Sequence, residues 1–129
     1  MTLVYLADAK PEERSALRLL FLDLEMEVAG EAADWPTVLA QMPASHADMI
    51  LVEWTLVSAA PATAVHELRR ACPGVLVIVV LSYPEVLEQA ALSAGADVFI
   101  TRNENAERVA KLLRAAAAMV PIYESAVAR

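Results

Sequence analysis

Seven consecutive apolar residues at 75–81, Val-Leu-Val-Ile-Val-Val-Leu, bounded by Pro73-Gly74 and by Ser82-Tyr83-Pro84, constrain the fold of this chain more than any other feature. Five of the seven are β-branched, which favours strand over helix, and the run is far short of the ~20 residues needed to cross a bilayer. An unbroken apolar strand has no wet face, so it belongs inside a parallel sheet covered on both sides. Parallel neighbours in turn require long crossover connections, which are usually helices.

The rest of the chain alternates accordingly. Residues 3–7 are apolar and stop at Asp8, after which Pro11-Glu12-Glu13 opens a helix with carboxylates in its first turn and apolar positions at Ala16, Leu19, Leu20 and Leu24. Residues 26–31 read as a second strand, and Asp34 caps a short helix that has Pro36 in its first turn and ends near Met42-Pro43. Residues 49–52 form a third strand that stops at Glu53-Trp54, and a helix over 61–72 is broken by Pro73-Gly74. Beyond the 75–81 strand, 84–93 is helical, Gly95 suits the left-handed position past its end, 98–101 is a fifth strand and 106–119 a last helix.

Five strands alternating with five helices predict an α/β fold, a doubly wound five-stranded parallel sheet in a three-layer α/β/α sandwich. A chain of 129 residues closes one core of that kind. Residues 1–119 are therefore expected to be one domain, with 120–129 a C-terminal helix extension or a linker stub.

Composition excludes several classes of function. Hydrophobic residues make up 58% at a mean hydropathy of +0.46 while 21% is charged, which rules out disorder. A net charge of -7 and a pI near 4.7 repel a phosphate backbone, so no nucleic-acid binding is expected of this domain. Arg69-Arg70, Arg108, Lys111 and Arg114 are dispersed among acids and read as solvated helix faces. The lone Cys72 cannot form an internal disulfide, and His46 and His66 lack zinc spacing. With no secretory signal at Met1-Thr2-Leu3 and no membrane span, cytoplasmic residence is the expectation.

In doubly wound sheets ligands bind beyond the carboxyl ends of the strands, where this sequence places Asp8, Glu53, Leu81-Ser82 and Arg102. Two carboxylates, a hydroxyl and a guanidinium on one edge have the chemistry of a cation or phosphoryl site. Neither a dinucleotide glycine fingerprint nor a P-loop is present. The acidic, glycine-free Asp8-Ala9-Lys10-Pro11-Glu12-Glu13 also weighs against a small flavodoxin-like enzyme. No Ser-His-Asp or Cys-His set falls at the strand ends, so no catalytic residue is assigned and no enzyme is expected.

Four segments, in this order, resemble the receiver domain of bacterial two-component response regulators, a CheY-like domain, over residues 3–119. Leu6-Ala7-Asp8-Ala9-Lys10-Pro11 is similar to the first-strand acidic motif, and Val28-Ala29-Gly30-Glu31-Ala32-Ala33-Asp34 to the second-strand segment. Ala47-Asp48-Met49-Ile50-Leu51-Val52-Glu53 resembles the strand that ends in the phosphoacceptor, and Ala94-Gly95-Ala96-Asp97-Val98-Phe99-Ile100-Thr101-Arg102 the stretch that ends in the essential lysine. The resemblance implies a phosphoacceptor aspartate assisted by Mg²⁺ and an acidic pair. Here Glu53 stands at the acceptor position, Ala9 in place of the second acid, and Arg102 in place of the lysine, while the hydroxyl position falls at Leu81 or Ser82.

These departures have physical consequences. Mg²⁺ demands near-octahedral oxygen ligands, and of the implied positions Asp8, Glu53 and Thr55 remain, so Mg²⁺ binding is expected to be weak or absent. Glu53 places its carboxylate roughly 1.5 Å further out than aspartate would, a misplacement that catalysis rarely tolerates. Arg102 is expected to donate to Glu53 or Asp8 in place of metal and phosphate, because its planar fork suits a carboxylate. The alternative is a retired site with unrelated exposed side chains. Phe99, the switch aromatic that the resemblance implies, is expected to be fixed in the sheet edge, and Trp54 either covers its loop or stands exposed as a partner anchor.

The expected function is a receiver-like signal transduction domain acting through protein–protein contacts, a pseudo-receiver not phosphorylated in the usual way. Implied partners are a histidine kinase, an output domain or another signalling protein. A homodimer through the fourth helix, fifth strand and fifth helix is also implied; the last helix carries an apolar stripe at Val109, Leu112, Leu113, Ala116 and Met119. The alternative is a functional phosphorelay receiver with an output domain, DNA-binding or otherwise, beyond Arg129.

Overall fold

The computed structural model describes residues 1–128, with side-chain surroundings as far as Val120. The elements run β1 (Leu3–Ala7), α1 (Pro11–Asp23), β2 (Glu27–Ala32), α2 (Trp35–Ser45), β3 (Met49–Glu53), a 3-10 turn (Trp54–Leu56), α3 (Pro61–Ala71), β4 (Leu76–Leu81), α4 (Pro84–Ser93), β5 (Val98–Thr101) and α5 (Ala106–Ala128). All strand pairs are parallel, in the order β2-β1-β3-β4-β5. This is the doubly wound sheet that the alternation predicts. No described helix is long and apolar enough to cross a membrane.

Period-two alternation sorts the strand residues into two core layers. Tyr5, Ile50, Val52, Val77, Val79 and Leu81 pack with Val38, Met42, Leu68 and Ala91 of α2, α3 and α4. On the opposite face Val4, Leu6, Leu51, Ile78 and Ile100 pack with Phe21 of α1 and Leu113, Ala116 and Val120 of α5. β3 is buried from end to end and β4 at every residue but Val80, so Glu53, at the end of β3, hangs from the centre of the sheet.

Two internal staples hold the sheet edges. Asp97 Oδ2, at the start of β5, accepts from Arg69 at 2.9 Å and from the Val77 backbone N–H at 2.8 Å, while Arg69 also donates to the Val75 and Gly95 carbonyls. Arg69 is thus drawn into the fold rather than lying on a solvated face as its sequence neighbours suggest. On the other edge a bulge sets Tyr5 against Gly30. A Cβ at Gly30 would lie 2.6 Å from Tyr5 Cε2, so only glycine lets the ring lie flat and its hydroxyl donate to Gln41 Oε1 at 2.8 Å.

Several boundaries and faces differ from the sequence expectation. The buried side chain of α1 is Phe21, with Leu17, Leu20 and Leu24 beside it, whereas Ala16 and Leu19 face solvent. Pro43 does not end α2. Val38 and Met42 anchor that helix in the core, Ser45 Oγ donates to the Met42 carbonyl at 2.6 Å, and His46 closes it in the left-handed region at φ 56°. The fifth helix runs unbroken to Ala128, with Val120 packed in the core. Met119 is exposed, so the buried stripe of α5 is Leu113, Ala116 and Val120. Arg129 lies outside the described residues.

Candidate functional site

Asp8 follows the last residue of β1 and is only 5% exposed. Its backbone N–H donates to the Ala32 carbonyl at 3.1 Å, its Oδ1 accepts from the Lys10 N–H at 2.9 Å, and its carbonyl accepts from Arg14, which is held by Glu31. Glu53, the last residue of β3, is equally buried. One of its oxygens, Oε2, accepts from both the N–H and the hydroxyl of Thr55, in the middle of the 3-10 turn, and the other, Oε1, accepts from Arg102 Nη2 at 3.1 Å. Arg102 directly follows β5, and its backbone is tied to the Leu81 carbonyl at 2.9 Å.

The second terminal nitrogen of Arg102 lies 3.1 Å from Glu13 Oε1. Glu13 is a member of the site that reading the strand ends alone does not find, because it sits on α1 rather than at a strand end. The available signal was an acid in the first helical turn close to the missing acid at Ala9. A hydrogen bond to Asp8 pushes the Glu13 carboxyl up to about 7; burial and the Asp8 charge act in the same direction, and Arg102 and Lys10 oppose them. In its protonated form Glu13 can donate to Asp8, while its Oε1 faces Arg102. Three carboxyls and one guanidinium form a single network across β1, α1, β3 and β5.

Of the other positions singled out in the sequence, Leu81 is fully buried in the core layer and offers no hydroxyl, while Ser82 lies half-buried just past the end of β4. Phe99 is half-buried and packs on the α2–α3–α4 side. Trp54 is 7% exposed and belongs to that same core, so it is no exposed anchor; the 3-10 turn rotates its indole inward. Ala9 is exposed and contributes no polar atom. Burial raises the Cys72 thiol above its ordinary range, as suits a packing residue.

Comparison with known proteins adds the frame. No protein-family profile and no curated protein matches the chain by sequence. Solved structures do match by shape. The chain is similar to a CheY-like response regulator receiver domain protein from Methanospirillum hungatei JF-1, with a TM-score of 0.79 at 16% identity over 94% of this chain and 97% of that one. It is similar to the response regulator domain of Thermotoga maritima CheB at a TM-score of 0.77 and 22% identity, covering 94% and 97%. It is also similar to the receiver domain of a sensor histidine kinase from Pseudomonas aeruginosa PAO1, at 0.77 and 16%, covering 91% and 98%.

The chain has the receiver fold.

At such identities the likeness establishes the architecture, and the chemistry must come from this chain's own side chains. The Pseudomonas receiver holds a magnesium ion in its active-site cleft. In the present receiver fold the residues do not fit that ion. Both oxygens of Glu53 are engaged by Arg102 and Thr55, Asp8 Oδ1 accepts from the Lys10 N–H, and the guanidinium beside Glu53 would repel a second cation. Among the described residues no group of three His, Cys, Asp or Glu side chains is placed to hold a metal. A carboxylate hydrogen-bonded at both oxygens is also a poor nucleophile, since each bond must be given up before it attacks.

Proposed function

We propose that this chain is a receiver-like signal transduction domain that works through protein–protein contacts and whose phosphoryl pocket is closed by its own side chains. The observation that carries this reading is the Arg102 guanidinium shared between Glu53 and Glu13, 3.1 Å from an oxygen of each. It supplies internally the charge neutralisation that a metal and a lysine would otherwise provide. Glu53 is the phosphoacceptor-equivalent, Asp8 and Ala9 the remnants of the acidic pair, Ser82 the hydroxyl position, and Phe99 a fixed aromatic. The decisive experiment follows Trp54 fluorescence in a Trp35→Phe background while Mg²⁺ and beryllofluoride are added: no saturable change supports the reading, and a saturable one favours a working phosphorelay receiver.

Its partners in this reading are proteins: a histidine kinase, an output domain or another signalling protein. The surface offered to them is formed by α4, β5 and α5, where Tyr83, Val86 and Leu92 stand exposed, Val86 by 74%. Self-association through that same face makes the domain a homodimer, which light scattering at tens of micromolar measures directly; a monomeric mass contradicts it.

A further inference from the structure

At the amino edge of the sheet, opposite the edge that carries Glu53, the end of α1 and the start of β2 enclose a groove of about 300 Å³. Leu19, Leu22, Met26 and Val28 form its apolar lining, and Arg18 and Glu27 complete it. Leu19 and Leu22 lie three positions apart on one helix face and are 67% and 70% exposed. A single exposed leucine is ordinary, but two sharing one groove with Met26 and Val28 form a continuous apolar patch that the core does not use.

The charge around this patch is unbalanced. Asp23, Glu25 and Glu27 are all exposed, and among the described residues none of the three makes an ion pair or a side-chain hydrogen bond. The nearest cation on the groove, Arg18, is already bonded to Glu31 and Ser15. The last turn of α1 holds no basic residue, so the negative end of the helix dipole meets carboxylates instead of the cations that suit it. Glu25 also sits in the left-handed region at φ 59°, where α1 closes by Glu25 N–H donating to the Leu22 carbonyl at 3.1 Å and Met26 N–H to the Phe21 carbonyl at 2.9 Å. Glycine takes that conformation without strain; here the position carries a carboxylate beside the groove.

We propose that the groove docks an amphipathic helix of a partner protein, its apolar face on Leu19, Leu22, Met26 and Val28 and its lysines or arginines on Asp23, Glu25 and Glu27. Laying an apolar helix face into a groove is a general mode of peptide recognition, and the three unpaired carboxylates make the flanking charge of the occupant positive. The same carboxylates repel nucleic acid and anionic lipid. A second copy of the chain, with a net charge of -7, brings like charge to the contact. The groove and the Arg102 network lie at opposite edges of the sheet, so this docking is independent of whether the phosphoryl pocket is closed.

The test titrates the intact chain with a helical peptide of about 18 residues, leucines on one face and lysines on the other, while following the amide NMR spectrum. A peptide of the same composition in scrambled order and the matching leucine–glutamate peptide serve as controls. The amphipathic basic peptide should give saturable shifts centred on residues 18–28, with both controls at least tenfold weaker. Leu22→Ser, at an exposed position, should weaken the binding roughly tenfold and leave the melting temperature unchanged. Glu25→Gly should weaken it several-fold while the melting temperature stays level or rises, because glycine relieves the left-handed strain. Absence of saturable shifts, equal affinity for the scrambled peptide, or binding unaffected by Leu22→Ser overturns the proposal. Concentration-dependent shifts at the groove with no peptide present also overturn it, since the occupant is then a second copy of the chain.

Discussion

Arg102 Nη2 reaches Glu53 Oε1 at 3.1 Å from the far side of β4, joining the carboxyl ends of β3 and β5 across the strand between them. The same guanidinium holds Glu13 on α1. One side chain therefore ties three elements at the edge where a parallel sheet binds its ligands.

If the departures at three positions are what close the pocket, reversing them together should open it. The triple variant Ala9→Asp, Glu53→Asp, Arg102→Lys restores a third carboxylate, shortens the acceptor arm and replaces a two-carboxylate fork with a point charge. Millimolar Mg²⁺ with beryllofluoride should then give a saturable change in Trp54 fluorescence that the parent chain lacks. Arg102→Lys alone should not give one, since Ala9 still supplies no ligand.

Glu13 gives the network a pH signature. Its carboxyl binds a proton more tightly in the folded chain, at about 7, than at the ordinary 4.5. Between those values the folded state holds the proton and the unfolded state has lost it, so this contribution is fully present below 4.5 and is lost as pH rises through about 7. Glu13→Gln keeps a donor towards Asp8 and cannot titrate. Relative to this variant, the parent should lose on the order of 1 kcal/mol across that window once solvent screening is allowed for, and stay level above it. Urea unfolding at several pH values reads the difference; a flat difference contradicts the Glu13–Asp8 hydrogen bond.

The Asp97 staple should be worth more than an exposed ion pair. Asp97→Ala leaves the Val77 N–H without its acceptor and Arg69 without its carboxylate. We expect a loss of roughly 1–3 kcal/mol, read as a lower urea midpoint at unchanged slope. A cost below a few tenths would mean that water replaces both contacts.

At the other edge, Gly30→Ala should destabilise by about 1–3 kcal/mol, because the new methyl meets the Tyr5 ring and displaces its hydroxyl from Gln41. Tyr5→Leu in the same chain should recover part of the loss, since the space that the ring occupied is then free for the methyl.

The sheet was legible because the 75–81 run has one stable home and because helices are the ordinary way to join parallel strands. The buried face of α1 was not. Leu17, Leu19, Leu20, Phe21, Leu22 and Leu24 are apolar nearly all the way round the helix, and packing against β1 and β3 selects Phe21. At the site, the strand-end residues Asp8, Glu53 and Arg102 could be placed from the fold alone, and the Arg102–Glu53 pairing follows from their charges. Glu13 could not, because its approach to Asp8 depends on the turn that the Lys10 N–H and Asp8 Oδ1 close between β1 and α1. The choice between a covering and an exposed Trp54 turns on a similar local detail: the Glu53–Thr55 hydrogen bonds fold the segment into a 3-10 turn that carries the indole into the core.

The central claim is that Glu53 is held by Arg102 and Thr55 and does not accept a phosphoryl group. Incubation of the chain with acetyl phosphate and Mg²⁺, followed by intact-mass measurement, tests it most directly. The account predicts the unmodified mass alone, in the parent and in Glu53→Ala alike. A phosphoryl adduct on the parent that disappears in Glu53→Ala would contradict it.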